Sequence, residues 1–171
     1  MRLLSTYLEK SYKMKKLVIL IVLISCFSCN SNAQKKDQKQ SKEFAVTKTE
    51  AEWKAELSPM AFYVLRENGT EPRFSSPLNK NYAEGIYVCA GCDTPLFKSE
   101  HKYDSGSGWP SFDQEIKGNV TFSKGSEMYG REEHCAVCGG HLGHVFNDGP
   151  KNTTGLRHCI DGAALKFIPK K

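Results

Sequence analysis

The sequence predicts an α+β domain that is mainly β, with antiparallel strands. Three observations carry that expectation. Helix signals are confined to residues 49–68, and from Phe74 onward glycines recur while apolar runs shrink to three to five residues. No helix-length segment separates those runs, as parallel pairing would require.

The elements follow in order. Thr49 and Glu52 form a capping box ahead of "EAEWKAEL", where Trp53 and Leu57 stand four apart on one face. Ser58 then reads as an N-cap with Pro59 at the first helical position, "MAFYVLREN" continues the helix, and Asn68-Gly69 stops it. "GIYVC", "NVTF", "GHVF", "LRHCI" and "ALKFI" have the length and the β-branched or aromatic content of strands. Apart from a duplicated CxxC there is no internal repeat.

A chain of 171 residues has room for one domain and an appendage. Starting at Met14, Lys15 and Lys16 precede an apolar run from Leu17 to about Ser28, followed by small polar residues. That is the layout of an export signal, and the run falls short of the ~20 apolar residues of a comfortable transmembrane helix. Residues 1–33 are therefore expected to be an export signal, 34–46 a polar, mixed-sign flexible tether, and 47–171 the folded domain. "LISC" looks like a lipobox that would lipidate Cys26, with Cys29 a poorer candidate. Ser31-Asn32-Ala33 satisfies the small-x-small rule for ordinary cleavage. Either route predicts an exported protein, periplasmic or in the outer envelope, that touches a membrane only through such an anchor. The formal charge is +5, but residues 1–33 hold five basic residues and one acid, so the rest is near neutral. No strong positive field invites nucleic acid.

"CAGC" at 89–92 and "CAVC" at 135–138 are two CxxC knuckles, and Gly139 and Gly140 let the backbone turn closely past the second. Cys89, Cys92, Cys135 and Cys138 can place four thiolates around one Zn²⁺ per chain, a closed shell whose role is structural. Export would also permit disulfides. Against them, CxxC pairs are usually redox or metal sites, and structural bridges usually close larger loops.

Cys159 is left without a partner, and an unpaired thiol in an exported protein is either an inert core residue or a reagent. Arg157 and His158 precede it directly, and cationic neighbours favour the thiolate. In a strand His158 points away and Arg157 shares the cysteine's face. His141 and His144, three apart in "GGHLGHVFNDGP", are candidate general acids or ligands of a second metal. Trp109 stands in the Gly/Ser loop "SGSGWPSF", and Phe146 and Asp148 follow the histidines.

Taken together, "KTEAEWK", "FYVLRENGTEPRFSSPL", "GIYVCAGCDTPLF", "YDSGSGWPSF", "HCAVCGGHLGHVF" and "GLRHCIDGAALKFIPK" resemble the peptide-methionine (R)-S-oxide reductases over Thr49 to the end. The resemblance implies two antiparallel β-sheets with short N-terminal helices and a Cys₄ zinc site at Cys89, Cys92, Cys135 and Cys138. It implies Cys159 as nucleophile, His141 and His144 in the site, and Trp109 and Phe146 as a pocket for the substrate's methyl group. Arg157 joins the catalytic set and Asp161 the substrate-binding set. The partners implied are proteins or peptides containing methionine sulfoxide and a thioredoxin-like reductant, with the enzyme a monomer that repairs oxidised exported proteins. Two positions depart from the family pattern. Ser107 stands where many members have a resolving cysteine, so an external thiol is expected to reduce the Cys159 sulfenic acid. Asp161 replaces a common asparagine, and its carboxylate is expected either to raise the thiol pKa or to pair with Arg157. The main rival is a non-catalytic, zinc-stabilised β binding module. A zinc hydrolase is disfavoured by the closed thiolate shell.

Overall fold

The computed structural model describes residues 44–123 and 130–171. The expected export signal and residues 34–43 of the expected tether lie outside the described residues. The last three residues of that tether, 44–46, pack on the domain. Val46 donates its N–H to the Val137 carbonyl at 3.0 Å and is partly buried against the core.

Helices α1 (Glu50–Glu56) and α2 (Pro59–Glu67) begin where their caps require. The Thr49 hydroxyl accepts the Glu52 N–H, and the Glu52 carboxylate accepts the Thr49 N–H at 2.7 Å, so both members of the capping box are made. Ser58 caps α2 through the Ala61 N–H, and Asn68, in the left-handed conformation at φ 55°, ends it. Trp53, Phe62, Val64 and Leu65 form the buried faces of the two helices.

Nine strands follow among the described residues: β1 (Gly85–Cys89), β2 (Pro95–Lys98), β3 (Lys102–Tyr103), β4 (Ser111–Phe112), β5 (Val120–Phe122), β6 (Arg131–Cys135), β7 (His141–Phe146), β8 (Arg157–Ile160) and β9 (Leu165–Pro169). They make a three-stranded sheet in the order β2-β1-β9 and a six-stranded sheet in the order β3-β4-β8-β7-β6-β5. Every pairing is antiparallel. The architecture is mainly β, with two antiparallel sheets and two short N-terminal helices. The inner faces meet in an aromatic cluster in which Phe97 stacks on Phe112 at 4.4 Å and Tyr87 meets Phe112 edge-on at 4.9 Å.

Four strands escaped sequence reasoning. β3 and β4 are only two residues long, and β2 carries just two buried apolar residues, Leu96 and Phe97. β6 reads as polar, "REEHC", because its inward position is Glu133, fully buried against His158 of β8. A hydrogen-bonded polar pair replaces the apolar alternation that marks a strand.

Candidate active site and metal centre

Each CxxC sits where a strand ends and the chain turns. Cys89 closes β1 and Cys135 closes β6, and their carbonyls accept the N–H groups of Asp93 and Gly139, both at 2.9 Å. Those turns need left-handed backbone, at φ 57° for Asp93 and 70° for Gly139. At Gly139 a Cβ would also lie 2.3 Å from the Phe44 ring, so glycine is required there. Helix α2 braces the second knuckle: Arg66 donates to the Cys138 carbonyl at 3.1 Å.

The two turns bring all four sulfurs within 4.8 Å of one another. Ligands on ~2.3 Å bonds around a tetrahedral ion stand roughly 3.8 Å apart. The Cys89–Cys138 and Cys92–Cys135 separations, 3.7 and 3.5 Å, match that edge and are far from a disulfide bond. All five cysteines among the described residues are free thiols, so the disulfide alternative falls away. The donor set fits one metal ion such as Zn²⁺.

Cys159 stands apart, in the interior of the six-stranded sheet. Its strand neighbours are Ser111 on β4 and His144 on β7. Strand alternation turns Cys159 and Arg157 to one face, while His158 is fully buried on the other against Glu133. The thiol opens on a pocket of about 170 Å³ whose walls include Trp109, Phe146, His144, Asp161 and Thr70. Gly143 completes the wall. Its φ is 147°, and a Cβ there would lie 2.1 Å from the Cys159 carbonyl oxygen, so only glycine lets β7 pass. A larger groove of about 480 Å³ opens between Tyr82, Lys98 and Ile168, but its lining includes no cysteine or histidine.

The electrostatics bear on two expectations, and of the two alternatives for Asp161 it is the upward push on the thiol that its position supports. Burial pushes the Cys159 thiol up, opposed first by the Ser107 hydroxyl at 3.6 Å and then by Arg157. The cationic neighbour favours the thiolate, as expected, but is a weaker influence than desolvation. Arg157 does not pair with Asp161; it makes two hydrogen bonds to Asp148, at 2.8 and 2.9 Å, and lies 4.3 Å over the Phe146 ring. Asp161 is buried instead, with Oδ1 accepting the Glu71 N–H at 2.8 Å, and burial pushes its carboxyl up to about 7.

The two histidines separate in depth. His144 is half-buried in the pocket wall, and burial lowers its pKa. His141 lies behind the pocket, 2 % exposed, with Nδ1 2.7 Å from Glu132 and Nε2 4.0 Å from Asp161. Burial lowers its pKa too, against the pull of Glu132. Of the residues expected in the site, Cys159, His144, Trp109, Phe146 and Asp161 line one pocket, and His141 and Arg157 support it from behind and beside.

Several residues at the site were missed. The Glu71 carboxylate accepts the N–H groups of Gly162 and Ala163 at 2.6 and 2.9 Å, and the Glu71 carbonyl accepts the Trp109 indole N–H at 3.1 Å. This one residue ties the Trp109 loop to the chain that follows Cys159. Ser105 bridges the hydroxyls of Ser107 and Ser111, at 2.8 and 2.7 Å, to form a chain of donors beside the thiol. An acid next to proline and serines in a Gly/Ser loop look like solvated surface, and nothing local signals otherwise.

The SelR domain family matches residues 57–169. The chain is similar to the peptide methionine sulfoxide reductase MsrB of Leptospira interrogans, 50% identical over 127 residues that cover 72% of this chain and 96% of that protein. It is similar to the MsrB of Agrobacterium fabrum, at 48% identity over 72% of this chain and 93% of the relative. The chloroplastic peptide methionine sulfoxide reductase B2 of Arabidopsis thaliana is 47% identical over 74% of this chain and 63% of its own length. With a pocketed thiol, a separate four-sulfur cluster and these likenesses over nearly all of the described residues, the chain belongs to the peptide methionine sulfoxide reductase B family.

Proposed function

We propose that this chain reduces peptide-bound methionine (R)-sulfoxide to methionine, with Cys159 as the nucleophile. The observation that carries the reading is a single free thiol facing a pocket with aromatic walls and proton donors, held apart from the four clustered sulfurs. The Cys159 sulfur attacks the electrophilic sulfoxide sulfur, the S–O bond breaks, and the oxygen is transferred with a proton. Cys–SH and R₂SO become Cys–SOH and R₂S: the thiol sulfur loses two electrons, the sulfoxide sulfur gains them, and the thiol's own proton balances the step. His144 is placed to donate to the sulfoxide oxygen. Burial raises the Asp161 carboxyl to about 7, which lets it hold the proton in transit near neutral pH.

Trp109 and Phe146 receive the methyl group, the donors receive the oxygen, and the peptide leaves through the opening. Three distinct directions at sulfur select one epimer, and its assignment as R rests on the family resemblance. Ser107 Oγ, 3.6 Å from the thiol, cannot form a disulfide, so an external thioredoxin-like dithiol condenses with the sulfenic acid, releases water, and then restores the thiol. Zn²⁺ at Cys89, Cys92, Cys135 and Cys138 would hold the ends of β1 and β6 together and take no part in the reaction. The N-terminal signal supports an exported enzyme, anchored through Cys26 where it is lipidated, that repairs oxidised exported proteins.

The test is turnover of the two separated epimers of a methionine sulfoxide peptide with dithiothreitol, beside Cys159→Ser. Reduction of the R epimer alone, lost in the variant, is expected. No turnover by a zinc-loaded protein would overturn the reading in favour of a binding module.

A further inference from the structure

We propose that Glu132, His134 and His141 form a second divalent-cation site, built from nitrogen and oxygen donors and separate from the four-sulfur cluster. The placement follows from the sheet. Glu132 and His134 are two apart on β6 and share one face, and His141 on β7 pairs directly opposite His134. Their donor atoms converge within 4.8 Å. Glu132 Oε1 lies 2.7 Å from His141 Nδ1 and 3.2 Å from His134 Nε2. Ligands on bonds of ~2.0–2.2 Å stand roughly 3 Å apart when they subtend a right angle at the ion and somewhat farther when tetrahedral, so small side-chain adjustments admit an ion.

A second observation points the same way. His141 is 2 % exposed, and its Nε2 is a buried nitrogen with no hydrogen-bond partner. In a neutral imidazole, a hydrogen on Nδ1 shared with Glu132 leaves a bare lone pair at Nε2 in the dry interior. Coordination through Nδ1 reverses this. The hydrogen moves to Nε2 and faces Asp161 Oδ2, now 4.0 Å away, giving the carboxylate–imidazole–metal arrangement that orients ligating histidines.

Two imidazoles and one carboxylate suit borderline first-row ions such as Zn²⁺, Co²⁺ or Cu²⁺, and are poor for Ca²⁺ or Mg²⁺, which need many oxygens. The side chains of His134 and Glu132 are 24 % and 27 % exposed, which leaves an entry path and room for water ligands. The geometry also separates this site from a His141–His144 pair: those rings stand edge-to-face at 5.5 Å, and His144 faces the pocket. An ion here would reach the pocket wall through His141 and Asp161, so its binding and the state of the site are linked.

The test is a Co²⁺ titration of the zinc-loaded chain, read by absorption and by equilibrium dialysis. The expected result is a second equivalent with d–d bands and no sulfur-to-cobalt charge transfer. His134→Gln and Glu132→Gln should each weaken that equivalent by about tenfold or more while retaining one zinc per chain and the thermal midpoint. Using both positions keeps the test valid if one variant folds poorly. Saturation at a single ion per chain would overturn the proposal. So would a second ion with thiolate charge transfer, which would place it at Cys159, or a second ion undisturbed in both variants.

Discussion

The chain uses cysteine in two regions under opposite physical rules. At the ends of β1 and β6, four sulfurs crowd within 4.8 Å of one another, three of them buried, on turns that left-handed residues make possible. In the interior of the six-stranded sheet, Cys159 stands among hydroxyls, an imidazole and a carboxyl, and faces a pocket. What separates a ligand from a reagent here is whether other sulfurs saturate it. Four mutually facing sulfurs can share one cation and would then lose their reactivity, whereas one thiol beside donors keeps an available electron pair.

The largest effect is expected from breaking the first region. Cys135→Ser removes a fully buried member of the four-sulfur cluster, and where such a cluster holds structural zinc the ion contributes on the order of 10 kcal/mol, about as much as a domain's whole stability. The variant should lose its zinc and its cooperative unfolding transition, measured by metal analysis and calorimetry. Cys159→Ser should keep both and lose activity, and equal loss of stability in the two variants would refute the division.

Gly143→Ala comes next. It sets a Cβ 2.1 Å from the Cys159 carbonyl oxygen at φ 147°, which should cost about 3 kcal/mol by denaturant unfolding and displace the thiol from its pocket. Ser107→Cys sharpens the comparison by giving Cys159 a sulfur neighbour. The residue's Oγ is 3.6 Å from Sγ, and Gly106 and Gly108, at φ 71° and 98°, flank it with an adaptable loop. After one turnover a disulfide should form within the chain, detected by mass spectrometry, whereas the parent chain should retain a sulfenic acid until an external thiol arrives.

The last effect is a pH dependence, and it concerns Asp161. Burial raises its carboxyl from 3.8 to about 7, so the folded state holds a proton that the unfolded state has released across that interval. Stability should fall as pH rises from about 4 to 7, and Asp161→Asn should flatten that slope while its Oδ1 still accepts the Glu71 N–H. An unchanged slope in the variant would show that Asp161 ionises like a solvated carboxyl.

Much of this was legible in the sequence because the signals are local. The capping box at Thr49, the stop at Asn68, the CxxC spacing and the β-rich runs each occupy a few adjacent residues. What escaped is long-range and polar. Glu71 reads as a loop acid until the fold brings it to the N–H groups of Gly162 and Ala163, more than ninety residues away. Glu133 conceals β6 because its burial depends on His158, twenty-five residues on. Sequence proximity is only part of the account: Arg157, two residues from Cys159, favours its ionisation as its position suggests, but Asp148 holds the guanidinium and desolvation is the larger influence.

The position of β8 between two hydrogen-bonded neighbours has a kinetic consequence. Under the proposed mechanism, a thiol pinned on both sides cannot swing towards a second visitor, so oxidised client and reducing partner would take turns at the same doorway. Each has to depart before the other docks, and the steady-state pattern expected is ping-pong, with either substrate in excess obstructing its counterpart.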